Sequence, residues 1–338
     1  MIKNPDIAVL GGGAWGTTLG TLLSKNGYPV SLWEFDSKKS RELDKKRILH
    51  LESFEFKIPK NIVISNDIEK ILSGKNIILL AVPSHFFQNT IKLIKNLNIE
   101  KSNCIFLSVV KGIKTDSLKT MTEILKEELS VPDKNICVLS GPSFAVEVAR
   151  GLPTAVVAAS KYIETAQTIQ KLFMNRQFRV YTHHDVTGVE IGGSLKNVIA
   201  IACGISDSLG LGDNTKSAIV TRGLREMIKL GRKLGGETNT FMGLSGLGDL
   251  ITTCFSKHSR NRGFGEKIGS RVSLKKALNE KMITTEGYRT AKSAYLLGKK
   301  LKFELPIINE VYRVLYRHKN PKKAVYDLMT RRAKAEIE

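Results

Sequence analysis

Ile7-Ala8-Val9-Leu10 runs directly into GGGAWG, residues 11–16. Apolar residues then recur at 15, 19, 22 and 23, and Gly27 follows as a stop. Four apolar residues, a glycine cluster and an i, i+4, i+7, i+8 pattern read as strand, tight turn and helix. The spacing G-x-G-x-x-G falls on Gly11, Gly13 and Gly16. Each glycine has a separate physical reason. Gly11 permits the tight turn, Gly13 lets a pyrophosphate approach the backbone, and Gly16 lets helix and strand pack closely. The helix N-terminus then offers free N–H groups and a partial positive charge to phosphate. A purely structural glycine turn has the same letters; the strand before and the helix after are what single out dinucleotide binding.

The rest of the first half keeps that rhythm. Apolar runs at Ile7–Leu10, Val30–Trp33, Ile62–Ile64, Ile77–Val82, Ile105–Val110 and Ile136–Leu139 alternate with helical patterns. Such alternation predicts a parallel sheet covered on both faces, and Thr154–Ala159 and Phe178–Tyr181 extend it. Beyond about residue 185 the strand signals stop. Helical patterns take over at 188–210, 214–234, 284–300 and 306–317. The expected fold is α/β, an N-terminal Rossmann-type parallel-sheet domain (1–187) followed by an all-α domain (188–338). A chain of 338 residues has room for about two such domains. No Pro/Ser-rich linker marks the junction, so the two should pack firmly.

The net charge of +21 raises the question of nucleic acid. The excess is mostly lysine spread along the whole chain, with no basic arm and no aromatic-basic patch. We read it as a preference for anionic small molecules, with no nucleic-acid partner. Cys104, Cys137, Cys203 and Cys254 are far apart, lie beside apolar residues and form no C-x-x-C. They read as buried free thiols in a reducing cytoplasm, without disulfides or a metal. No leader pattern opens the chain, and no apolar run reaches the ~20 residues that span a bilayer. A cytoplasmic protein without membrane insertion is expected.

Several side chains stand out. Glu34 and Asp36, at the end of the second strand, lie where an acid would hydrogen-bond the adenosine ribose and repel a 2′-phosphate. That favours NAD(H), with NADP(H) as the alternative because Lys38, Lys39 and Arg41 follow. Lys196, in VEIGGSLKNVIAIACG, has Gly192, Gly193, Ile199 and Ala200 as helical neighbours and no counter-charge among them. It either snorkels to water or lines a cleft. Ser259-Arg260-Asn261 offers a hydroxyl, a guanidinium fork and an amide, the makings of a phosphate cradle or of a solvated turn. His183-His184 lacks a third metal ligand and reads as a strand-end pair. Val82-Pro83-Ser84-His85 is placed over the cofactor, with His85 structural, Asp207 and Asp213-Asn214 as helix caps and Trp33 packed in the sheet.

Four further stretches narrow the reading: SVVKGI (108–113), LSGPSFAVEVA (139–149), VEIGGSLKN (189–197) and GLSGLGDLITTC (243–254) leading to HSRNRGFG (258–265). With GGGAWGTTLG, TTEGYRTA (284–291) and LPIINEVY (305–312), they resemble the bacterial-type NAD(P)-dependent glycerol-3-phosphate dehydrogenases over nearly the whole chain. The resemblance implies reversible reduction of dihydroxyacetone phosphate to sn-glycerol 3-phosphate with NADH or NADPH, feeding glycerophospholipid synthesis. It implies Lys196 as general acid/base and Lys111 at both substrate and nicotinamide. It further implies substrate contacts from Gly141, Ser143, Asp249, Ser259, Arg260 and Asn261. Cofactor contacts follow from Ala14, Trp15, Ala145, Arg260, Thr284 and Glu286. Where many members carry a basic pair after the second-strand tryptophan, this chain has Phe35 and Asp36, which argues for NAD.

The chemistry these residues must support is plain. Hydride transfer to a ketone leaves negative charge on the carbonyl oxygen, so a proton donor is needed. A lysine serves once burial and a neighbouring cation bring its pKa from ~10.4 toward ~7–8. Lys196 would be that lysine, Lys111 the cation and Asp249 the group that orients one of them. Two alternatives are weighed. One is a related two-domain dehydrogenase of a hydroxy acid or sugar phosphate, such as the 6-phosphogluconate type, which the SGPS and HSRN segments oppose. The other is a non-catalytic nucleotide-binding sensor, which would need a helix-turn-helix or basic arm. A homodimer, the commonest assembly, is the expected state.

Overall fold

The first strand is apolar on both faces because helices cover both sides of the sheet it sits in. In the computed structural model, which describes residues 4–52, 54–279 and 286–336, ten strands form. They are β1 (Ile7–Leu10), β2 (Val30–Trp33), β3 (Ile48–Leu51), β4 (Phe54–Lys57), β5 (Val63–Ser65), β6 (Ile77–Leu80), β7 (Ile105–Ser108), β8 (Ile136–Ser140), β9 (Thr154–Ala159) and β10 (Phe178–His183). Eight of them make one sheet in the order β10-β9-β8-β7-β6-β1-β2-β5. Successive side chains alternate between its faces. Ile7, Val9, Leu79 and Leu107 enter one core, and Ala8, Leu10, Leu80 and Phe106 enter the other.

The sheet strands fall within two residues of the apolar runs read from the sequence, but two expectations need correction. The sheet is not wholly parallel: β8 and β9 pair antiparallel, with Val138 opposite Ala159. Their connection carries only the short helix Ala145–Ala149, so the chain turns back where a parallel pair would need a longer crossover. Between β9 and β10, the helix Ile163–Phe173 supplies that crossover and the pairing is parallel again. The second correction is the separate antiparallel hairpin β3–β4, which the sequence reading passed over. Its alternation is weak, since only Leu51 and Phe56 are buried, and they pack on Val146 of the Ala145–Ala149 helix.

From Val186 onward the described chain is helical. The helix Val186–Ser208 has a mean hydropathy of 1.3 over its most apolar window, and 94% of that window is buried. It is long and apolar enough to cross a membrane by composition, but here it forms the centre of a core, apolar all round as such helices are. Gly212–Lys233, Arg260–Gly269, Glu286–Lys300 and Pro306–Tyr316 pack around it. The short helices Thr238–Met242, Asp249–Phe255, Arg260–Gly269, Leu274–Asn279 and Pro321–Met329 were not read from periodicity; several are too short to show it. All four cysteines are buried free thiols.

Candidate active site

A cleft of about 710 Å³ runs from the glycine turn to the helical half, a size ordinary for a ligand site. At its nucleotide end, Gly11 has φ +125°, and a Cβ there would lie 2.7 Å from the carbonyl oxygen of Ala81. A Cβ on Gly16 would lie 2.1 Å from the carbonyl oxygen of Gly11. Gly13 has open space on its Cβ side and is the N-cap of the helix Ala14–Lys25, with no side chain capping it. The first N–H groups of that helix are therefore free donors, and they fit a pyrophosphate. Ala14 and Trp15 line the cleft beside them. Gly12, which the motif leaves as a free position, is also constrained: its Cβ would sit 2.6 Å from Glu34 Oε2.

The acidic pair at the end of β2 divides its roles. Glu34 is 9% exposed and lines the cleft, accepting a hydrogen bond from Lys39 Nζ at 2.7 Å. Asp36 is instead the N-cap of the helix Ser37–Lys46, where its carboxylate accepts from Lys39 N at 2.9 Å. That backbone N–H holds its pKa below the usual range. Asp36 is thus occupied with capping and does not line the cleft. Phe35 does, at 75% exposure. Trp33 is buried, with Nε1 donating to the carbonyl of Asn66 at 3.0 Å.

At the far end, two lysines meet one carboxylate. Lys196 Nζ donates to Asp249 Oδ1 at 2.5 Å and to Thr253 Oγ1 at 2.7 Å. Lys111 Nζ donates to Asp249 Oδ2 at 2.5 Å and to the carbonyl of Gly141 at 3.3 Å. Small residues make this convergence feasible. A Cβ on Gly193 would lie 2.8 Å from Ser140 Oγ, and one on Gly192 would lie 2.8 Å from the carbonyl oxygen of Ser245. Gly246 sits in the π turn Leu244–Gly248 that delivers Asp249 to the start of its helix. Burial lowers the pKa of Lys196 to about 8; Asp249 pulls it back up and the Lys111 charge pushes it down. The lysine that looked unpaired in sequence has its counter-charge 53 residues away.

Ser143 Oγ donates to the Gly141 carbonyl at 3.0 Å, and Ser143 and Ala145 both line the cleft. Gly141 adopts φ +147° beneath them. Opposite, Ser259 caps the helix Arg260–Gly269 by accepting from Arg262 N at 3.2 Å. Ser259, Arg260 and Asn261 line the cleft together. Asn261 is held from both sides: its Nδ2 donates to Asn197 Oδ1 at 3.0 Å, and its Oδ1 accepts from Gly287 N at 3.0 Å. Behind it, Asp207 is ion-paired with Lys216 (2.9 Å) and Arg262 (2.7 Å), so it braces this helix where capping was expected. Glu286 accepts from Ser84 N at 2.9 Å and from Ser84 Oγ. Burial pushes its carboxyl up, against those two bonds. Thr284 lies outside the described residues.

Among the cleft-lining residues, Thr253, Asn197, Asn89, Phe86 and His258 went unread in the sequence. Thr253 was findable, being four residues after Asp249 on one helix face. Asn89 and Phe86 carried no signal, since an ordinary amphipathic helix has the same letters. His85 does not line the cleft; burial and the nearby Arg289 and Lys114 charges hold its pKa down. His183 and His184 stack at 4.9 Å at the end of β10, with His184 paired to Glu237.

A glycine turn at the carboxyl edge of a largely parallel sheet, facing a buried lysine, carboxylate and second lysine, defines a nicotinamide-nucleotide-dependent dehydrogenase. Comparison with known proteins makes this specific. Residues 6–166 match the family model for the N-terminus of NAD-dependent glycerol-3-phosphate dehydrogenase, and residues 185–326 match that for its C-terminus. This chain belongs to the NAD-dependent glycerol-3-phosphate dehydrogenase family. It is 46% identical over 332 residues to the glycerol-3-phosphate dehydrogenase [NAD(P)+] of Fusobacterium nucleatum, covering 98% of each chain. It is 45% identical over 334 residues to that of Halothermothrix orenii, covering 98% of this chain and 96% of the other. The crystal structure of glycerol-3-phosphate dehydrogenase from Coxiella burnetii superposes with a TM-score of 0.91 at 36% identity, over 97% of this chain and 99% of that one.

Proposed function

We propose that this chain reduces dihydroxyacetone phosphate to sn-glycerol 3-phosphate, reversibly, with NADH or NADPH. The observation that carries the reading is the meeting of Lys196 and Lys111 on the two oxygens of Asp249, each at 2.5 Å, at the floor of the cleft. When bound, the nicotinamide supplies the hydride. Lys196 Nζ gives its proton to the carbonyl oxygen, where charge would otherwise accumulate. Lys111 adds a fixed positive charge beside that oxygen and keeps Lys196 a ready proton donor. Asp249 orients both ammonium groups, and Thr253 takes the second hydrogen-bonding direction of Lys196 Nζ, which leaves its third N–H for the substrate. Arg260, with Ser259 and Asn261, holds the phosphate through charge-assisted hydrogen bonds.

We read Glu34 as the ribose-binding acid, so NADH should be preferred. Lys39, at the same rim, gives NADPH a counter-charge and keeps the preference short of exclusive. The other parts of this reading are a dinucleotide-binding unit (1–187), a helical substrate-binding unit (188–338), a homodimeric assembly and a cytoplasmic role supplying glycerophospholipid synthesis without membrane insertion. The test is oxidation of NADH by the purified protein with dihydroxyacetone phosphate, repeated with NADPH and with unphosphorylated dihydroxyacetone. Turnover is expected only with the phosphate ester, and faster with NADH at matched concentration. Tight nucleotide binding without turnover on either cofactor would overturn the assignment.

A further inference from the structure

The β3–β4 hairpin reaches the substrate end of the cleft by a route that the mechanism above does not use. Glu52, at its tip with φ +56°, meets His258, 206 residues away, with Nδ1 at 3.0 and 2.9 Å from the two carboxylate oxygens. The hairpin is itself anchored. Leu51 and Phe56 pack with Val146, and Arg150 lies 5.2 Å above the Phe54 ring. The His258 ring lines the cleft and packs at 5.7 Å against Phe144, which follows Ser143 in the SGPS turn. His258 also immediately precedes the Ser259-Arg260-Asn261 segment. One imidazole is therefore gripped between the hairpin tip and the turn bearing Ser143, immediately before the segment assigned to the phosphate.

We infer that Glu52 is a positioning residue for the phosphorylated substrate, acting through His258 to hold Ser259, Arg260 and Asn261 against the hairpin side of the cleft. The inference rests on the substrate reading given above. A carboxylate on one ring nitrogen fixes the orientation of an imidazole, as it does for histidines that must face a ligand. The pair is partly exposed, at 33% for His258 and 53% for Glu52. Solvent screening therefore limits its worth to about 1 kcal/mol, or roughly fivefold in binding.

The test is steady-state kinetics of the full-length enzyme and its variants, with thermal melting as the check on folding. Glu52→Ala should raise the KM for dihydroxyacetone phosphate about three- to fivefold, leaving kcat within about twofold and the KM for NADH unchanged. His258→Ala should act alike. The double variant should be no worse than either single one, because both break one bridge. His258→Asn, whose amide nitrogen takes the place of Nδ1 and can still donate to Glu52, should recover most of the wild-type KM. An unchanged KM in Glu52→Ala, additive single effects, or a loss shared equally by the KM for NADH would overturn the inference. Failure of the wild-type enzyme to turn over the ester would instead bring down the substrate reading and this inference with it.

Discussion

Lys196 is set apart by the sum of three unequal influences on one ammonium group. Burial disfavours its charge and dominates, Asp249 partly restores it, and Lys111 works against it, leaving a pKa of about 8. The sign gives direction-dependent pH behaviour. In ketone reduction Lys196 must hold a proton, so kcat/KM should fall as pH rises through about 8. In glycerol 3-phosphate oxidation it must lack one, so the rate should rise over the same interval. Asp249→Asn removes the group that holds the pKa up, and its inflection should move to lower pH. Lys196→Ala should lose about 10²–10⁴ in kcat, as for a missing general acid, and lose the inflection too. A Lys196→Ala enzyme at near wild-type rate would end the assignment.

At the scale of elements, close packing around the long helix Val186–Ser208 is what makes the lysines meet. Gly192→Ala would put a methyl 2.8 Å from the carbonyl oxygen of Ser245, on the π turn leading into Asp249. The main chain there cannot swing aside as a side-chain tip can. We expect a cost of about 1–3 kcal/mol, typical of overpacking, read as a lowered Tm, together with reduced kcat. The helix Pro306–Tyr316 offers a second element-scale test. Pro306 has no N–H, and buried Glu226 accepts from the next two, Ile307 N at 2.7 Å and Ile308 N at 3.1 Å. Burial raises its pKa from 4.5 to about 7. Between those values the unfolded chain ionises while the folded chain still holds the proton, so stability from this group falls as pH rises. In Glu226→Gln that part of the slope should vanish from melts taken across pH 4.5–7; an unchanged slope would refute it.

For the whole molecule, the sheet and the helical half are joined by buried polar contacts as well as by apolar packing. Glu190, six residues before Lys196 on the same helix, accepts from Thr122 N at 3.0 Å and from Thr122 Oγ1. Thr122 belongs to the helix Met121–Leu129, which covers one face of the sheet and opens on a Thr120–Glu123 capping box. Glu190→Ala would leave the Thr122 N–H without its acceptor in a buried interface, at a cost of about 1–3 kcal/mol. The expected result is a lowered Tm and a reduced kcat, since the helix that carries Lys196 loses a fixed point on the sheet. A variant with wild-type melting would show that water replaces the lost acceptor.

The sequence by itself was enough for whatever depends on neighbours along the chain. The strand, glycine turn and helix at residues 7–25 are legible because φ restrictions and close approach demand glycine at particular positions. The apolar strand runs are legible because burial on both faces leaves no polar alternation. The oddness of Lys196 also showed, as an absence of local partners. Its partner was beyond reach of that reading: Asp249 is 53 residues away, and only the packing of two helices brings them to 2.5 Å. Asp36 is different: its capping partner, Lys39 N, is only three residues on, and an Asp before a helix is itself a cap signal in the sequence. The limit on distant partners also explains why the direction of β9, an apolar run that pairs equally well either way, needed its neighbours. Tertiary structure alone placed Glu52 on His258 across 206 residues, because a hairpin tip can touch a distant loop without leaving any period or spacing in the chain.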